Sequence, residues 1–148
     1  MKNWLLIKRD DESVGIVEIK SGIWNIGKGL IGSNEPCSME GLYEGILLKI
    51  PAYRKNIGGM INSIHMIGMR YPIAVFWIFE NRIVDKTYAI PGFNIYSSKH
   101  PSSAVLEMQK EAFPVFNIGD ILTFEDLSSP QQFFQQEQAK NEKSQTGC

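Results

Sequence analysis

Short apolar runs separated by glycine, proline and asparagine dominate the chain, and no long window repeats at the helical period. Runs rich in Ile, Val, Phe, Tyr and Trp between turn residues are the pattern of strands. The predicted strands are Asn3–Arg9, Val14–Lys20, Gly45–Ile50, Ser63–Ile67, Tyr71–Phe79, Arg82–Ile90, Ala104–Met108 and Asp120–Phe124. Tyr71–Phe79 and Arg82–Ile90 make the clearest hairpin, because their two-residue turn, Glu80-Asn81, offers an asparagine that tolerates positive φ. Tyr71–Phe79 is apolar on both faces, which predicts a strand covered from both sides. In Arg82–Ile90 both alternating sets contain polar residues, which places this strand nearer an edge.

Helical content is small. Gln109–Phe113 could make one turn, and Ile23–Ile31 a short helix interrupted by glycine. About eight short strands with one or two helical turns predict a mainly β fold, a small antiparallel barrel-like domain, because closure removes edges that would pair with other chains. A two-sheet sandwich is the alternative. The domain spans residues 1–127. Residues 128–148 hold six glutamines, with Phe133 and Phe134 as the only aromatics. That tail is too polar to build a core. It reads as disordered or a marginal helix, with Phe133-Phe134 as a docking point.

Composition narrows the function classes. The 148 residues are 43% hydrophobic and 21% charged, with a formal net charge of −1. The basic residues are scattered, and no basic run exceeds a pair such as Lys8-Arg9 or Arg54-Lys55. No broad field therefore points to nucleic acid or an anionic membrane. Only Trp4-Leu5-Leu6-Ile7 is apolar near the N-terminus, short of the about 7 residues of a signal peptide. The longest apolar run elsewhere, Ile73 to Phe79, falls far short of the ~20 of a membrane helix. A soluble, cytoplasmic protein is expected, with Cys37 and Cys148 as free thiols.

Few motifs carry chemistry. Gly22-Ile23-Trp24-Asn25-Ile26-Gly27-Lys28-Gly29 matches the phosphate-loop spacing. Gly29 stands where the magnesium-binding hydroxyl belongs, and no long helix can follow, so no nucleotide cofactor is expected. His65 and His100 lack the partners of a metal site, and none is expected. His65 lies in Ile64-His65-Met66, just before the densest apolar run. Arg70 enters the central strand, and arginine is rarely buried without a partner. Its candidate carboxylates are Glu107, first choice, and Asp120.

These residues also carry a resemblance. Ile64-His65…Met69-Arg70-Tyr71-Pro72-Ile73, then Val84, Ala104-Val105-Leu106-Glu107 and Gly119-Asp120, resembles the domain of unknown function family numbered 192 (DUF192). Lys28-Gly29-Leu30-Ile31-Gly32 and Gly45-Ile46-Leu47 are similar to two further stretches of that family, so the resemblance spans roughly residues 23 to 124. It implies a small single-domain barrel-like fold and no assigned activity, cofactor or catalytic residue. An aspartate usually follows the family's Pro-Ile pair, and here that position is Ala74.

The preferred reading is a non-enzymatic binding or accessory module for a small ligand or protein partner, with a pocket around His65, Arg70, Glu107 and Asp120. The alternative is a small enzyme using His65 as acid or base, with Arg70 stabilising an anion. The enzyme reading requires that His65 reach a cavity together with a second titratable side chain.

Overall fold

The computed structural model describes residues 3–20, 30, 33–50 and 62–140. The phosphate-loop-like stretch and Cys148 lie outside these, as does the helix expected over Ile23–Ile31 apart from Leu30. Seven strands form one sheet: β1 (Asn3–Arg9), β2 (Glu12–Lys20), β3 (Tyr43–Lys49), β5 (Ile73–Phe79), β6 (Arg82–Ala89), β8 (Ala104–Gln109) and β9 (Thr123–Leu127). Their spatial order is β6-β5-β8-β3-β2-β1-β9. A two-stranded ribbon pairs β4 (Ile64–His65) with β7 (Ile95–Tyr96).

Local chemistry explains the hairpins. Asp10 and Asp11 link β1 to β2, Glu80 and Asn81 link β5 to β6, and all four have positive φ. Two consecutive residues of that kind make the turn whose twist matches that of the flanking strands. The fully antiparallel expectation fails at one place: β2 and β3 are parallel. A parallel return needs a crossover of a dozen or more residues, and the stretch between Lys20 and Tyr43 supplies that length.

The sheet is open, since its edge strands β6 and β9 do not pair with each other. Even so, it curls. One inner cluster takes side chains from all seven strands, including Leu5, Val17, Leu47, Phe76, Ile83, Leu106 and, partly buried, Phe124. A flat seven-stranded sheet, with neighbours ~4.8 Å apart, would hold its two edges too far apart for this. Backbone hydrogen bonds also join the start of β6 to the chain leading into β9. Gly119 N–H donates to Ile83 O (2.8 Å), Ile83 N–H to Asp120 O (2.9 Å) and Leu122 N–H to Asn81 O (2.8 Å).

The outer face carries a second cluster, in which Ile46, Leu48, Val75, Trp77 and Val105 of the sheet meet Met66, Met69 and Tyr71. β5 is thus enclosed from both sides, as its unbroken apolar run requires. Farther along the outer face, α1 (Pro130–Lys140) covers β1 and β2. Pro130 begins this helix, and the Ser129 hydroxyl accepts Gln132 N–H (3.2 Å); both are helix-start chemistry. Phe134 is buried against Leu6, Ile16 and Leu42. No helix among the described residues is long and apolar enough to cross a membrane. The free-thiol expectation fails at Cys37, which is disulfide-bonded.

Candidate functional site

Alternation along β8 sends Ala104, Leu106 and Met108 to the inner cluster and Val105, Glu107 and Gln109 to the outer face. Glu107 is therefore held between Ile46 of β3 and Val75 of β5. It is buried, and its carboxylate accepts the Leu30 N–H. Burial pushes its carboxyl up to about 7, against the opposing pull of the Leu30 N–H and the Lys20 charge. The Tyr71 hydroxyl lies 3.2 Å from Asn34 O and 3.3 Å from Ser33 O, tying the same stretch of chain. Burial first, then the carboxylates Glu107 and Glu35, pushes the Tyr71 phenol up.

Beside Glu107 a polar network fixes the next turn of this face. Glu44 N–H donates to Gln109 Oε1 (2.9 Å), Gln109 Nε2 donates to Ser38 Oγ (2.8 Å), and Cys37 N–H donates to the Glu44 carboxylate (3.2 Å). At Ile46 a cleft of about 220 Å³ is lined also by Trp4, Glu18, Lys20, Leu30, Asn34 and Glu44. No group of three or more His, Cys, Asp or Glu among the described residues could hold a metal ion.

The four residues singled out from the sequence are placed differently. Arg70 is exposed, because Met69 and Tyr71 on either side turn into the outer cluster. The expected Arg70–Glu107 ion pair is not formed. Asp120 pairs instead with Arg9, Oδ2 to Nη1 at 2.9 Å, and accepts Asn117 N–H at 2.8 Å. His65 is exposed and lies opposite Ile95 across the β4–β7 ribbon. Ala74, where the family pattern has aspartate, is fully buried in the inner cluster and offers no polar atom.

Around His65 and Arg70 the surface is apolar. Ile67 (47% exposed), Ile90 (48%), Phe93 (88%) and Ile95 (57%) all face solvent. The turn closed by Met69 N–H to Met66 O (3.1 Å) also receives Gly92 N–H at Met66 O (3.4 Å), which brings these side chains onto one tip. Residues 62–79 and 86–106, which build it, contain no Asp or Glu, whereas His65, Arg70, Lys99 and His100 are exposed. Sequence reasoning missed Phe93. The signal available was an aromatic directly after Pro91-Gly92, where turn chemistry keeps a side chain out of the core.

A second cavity, of about 430 Å³, opens at one end of the inner core. It is lined by Leu5, Ile19, Leu47, Ile50, Ile78, Ala104 and Phe124, with Lys49, Asn81, Ser103 and Asp126 as its polar residues. None of His65, Arg70, Glu107 and Asp120 lines either cavity.

No family model matches the chain, and no curated protein matches it. Two solved structures share its fold. One is a protein described provisionally as a transcription regulator from Sinorhizobium meliloti: TM-score 0.64, 17% identity, covering 84% of this chain and 94% of that one. The other is a protein of unknown function from Novosphingobium aromaticivorans: TM-score 0.61, 14% identity, covering 82% of this chain and 83% of that one.

Proposed function

We propose that the chain is a non-catalytic binding or accessory module of barrel-like fold that docks an anionic protein partner through the face around His65 and Arg70. One observation carries this reading: Phe93, 88% exposed, stands with Ile67, Ile90 and Ile95 on a tip whose exposed charged or imidazole side chains, among the described residues, are all basic. Contiguous exposed apolar side chains rimmed by polar ones mark interaction surfaces, and aromatic residues and arginine are enriched at such interfaces. The barrel-like description is supported by the single inner cluster and the hydrogen bonds between residues 81–83 and 119–122. Membership of the DUF192 family is part of the proposal and rests on the motif series around Met69-Arg70-Tyr71-Pro72-Ile73.

The enzyme alternative lacks such support, since His65 lines neither cavity and so meets no second titratable group there. A nucleic-acid role, to which the Sinorhizobium neighbour's description leads, is opposed by a net charge of −1 and by basic residues that nowhere run longer than a pair. A cytoplasmic setting is opposed by the Cys37 disulfide, since disulfides persist in oxidising compartments.

The test is a photo-cross-linking amino acid placed at Phe93 in the native host, with one at exposed Glu12 as control. A discrete product from Phe93, absent from Glu12 and weakened by Arg70→Glu, is expected. Equal labelling from both positions overturns the reading.

A further inference from the structure

We infer that the cavity at the open end of the inner core is a binding site for a small amphipathic carboxylate, its apolar chain inside and its head at Lys49. The site is independent of the docking tip. Six strands of the sheet send a side chain into it, Leu5, Ile19, Leu47, Ile78, Ala104 and Phe124. Its volume of about 430 Å³ falls within the roughly 300–1,000 Å³ of small-ligand sites, whose walls are mainly apolar with a few placed polar groups.

The polar groups decide the ligand class. Period-two alternation puts Lys49 on the same face as Leu47, and Asp126 on the same face as Phe124, so two charges stand over a hollow with an aliphatic and aromatic floor and a polar mouth. Neither makes an ion pair with a described residue. β3 and β9, which carry them, are separated in the sheet by β2 and β1, so the charges stand on different walls. The Ser103 hydroxyl is already engaged by Ile78 O (3.2 Å). Lys49 has a long flexible stem that can lie along apolar surface while its ammonium reaches over the mouth. The short Asp126 side chain stays with its own wall, where it repels an anionic head toward Lys49 and denies a cationic head the same reach. A medium-length acyl chain ending in a carboxylate satisfies both walls.

The experiment titrates the full chain with octanoate, octylamine and octanol while methyl NMR shifts are followed. Leu47, Ile78 and Ala104 report on the cavity, and Ala112 on the opposite end. Octanoate should give saturable shifts confined to the cavity residues, with octylamine and octanol binding more weakly. Lys49→Gln should weaken octanoate by about fivefold, the scale of an exposed ion pair. Ala104→Leu, which fills the cavity, should abolish the shifts. If that variant fails to fold, Lys49→Gln and the octylamine comparison still decide. Shifts absent at millimolar octanoate, spread over the surface or unaffected by Lys49→Gln overturn the site, and tighter octylamine binding overturns its class. Arg70→Glu should leave octanoate binding unchanged while weakening partner cross-linking from position 93, so the two readings fail separately.

Discussion

At one end of the inner core, the chain from Lys110 to Asp120 folds across the sheet and sets Ala112 and Phe116 among the strand side chains, both fully buried. At the other end, Leu5, Leu47, Ile78 and Ala104 border a cavity of about 430 Å³. Each end carries charges, and they are used differently. At the plugged end Arg9 donates to Val115 O (2.7 Å) and pairs with Asp120, while Lys86 donates to Phe113 O (2.8 Å) and Phe116 O (3.1 Å). Arg9 comes from beside one sheet edge and Lys86 from the other, so two cations latch one segment from both sides. At the open end Lys49 and Asp126 have no such partners among the described residues. The same sheet thus closes one end with a side-chain plug and cation-to-carbonyl bonds and leaves the other hollow, charged and accessible.

The largest effect should come from the plug. Phe116 meets Phe76 edge-on with ring centroids 5.4 Å apart, and Tyr43 at 6.0 Å. Phe116→Ala should cost about 3–5 kcal/mol in urea unfolding. That is much of a typical stability of roughly 5–15 kcal/mol. A loss under ~1 kcal/mol would mean that the plugged end contributes no more than a surface.

Glu107 lies on the outer face, belongs to neither end, and gives a pH handle on the whole sheet. A carboxyl whose folded pKa exceeds its unfolded value binds more protons when folded, so folding is favoured at low pH. Its folded value is about 7 against an ordinary 4.5. This contribution should be full below pH 4.5, decline toward pH 7 and stay lost above it, by up to roughly 3 kcal/mol. Glu107→Gln should flatten the profile between pH 5 and 8. Combined with Phe116→Ala, its effect should add within about 0.5 kcal/mol if core plug and outer face are independent. Strong coupling would dissolve the distinction between them.

These regions differ in how much the sequence discloses. β1 is legible to the residue, and β5 and β6 nearly so, because alternation, dense apolar runs and two-residue turns act within one segment. Pairing direction is not local, which is why the parallel β2–β3 contact escapes a strand-by-strand reading. β9 begins at Thr123, not Asp120, because residues 119–122 are occupied by the bonds to residues 81–83. β7, two residues long, carries too little pattern to be seen. For the site, sequence proximity to an apolar strand suggested that Arg70 needs a buried partner. The bend at Arg70 instead turns its neighbours inward and frees its side chain, while Asp120 is claimed by Arg9 from the far end of the sequence.

A smaller effect should follow from unlatching the plug. Arg9→Met keeps an apolar stem but removes the guanidinium, whose Cζ stands 5.5 Å from the Phe116 ring centroid, and with it the donors to Val115 O and Asp120. Asp120 retains its Asn117 N–H partner, and both ion-pair side chains are about a quarter exposed, 27% and 23%. The loss should therefore be about 1–2 kcal/mol, toward the lower end for charged hydrogen bonds. Thermal unfolding of Arg9→Met against Arg9→Lys separates the pair from simple charge. An unchanged Tm in Arg9→Met would show that the plug is held without the Arg9 latch, by Phe116 and the Lys86 bonds.

The smallest effect should be at the open end, and its smallness is informative. Lys49 and Asp126 are exposed and form no ion pair with a described residue, so Lys49→Gln and Asp126→Asn should each change stability by less than ~0.5 kcal/mol. The double variant should be additive, because groups without a shared partner add within about 0.5 kcal/mol. Charges that do nothing for the fold, set on the inward face of two strands around an apolar hollow, are then free to act on something outside the chain. If instead either substitution destabilised the protein by more than 1 kcal/mol in the absence of ligand, Lys49 or Asp126 would be a latch like Arg9, and the two ends of the core would be built on one plan. Urea unfolding of the three variants at low ionic strength, where an exposed charge interaction is least screened, decides between these outcomes.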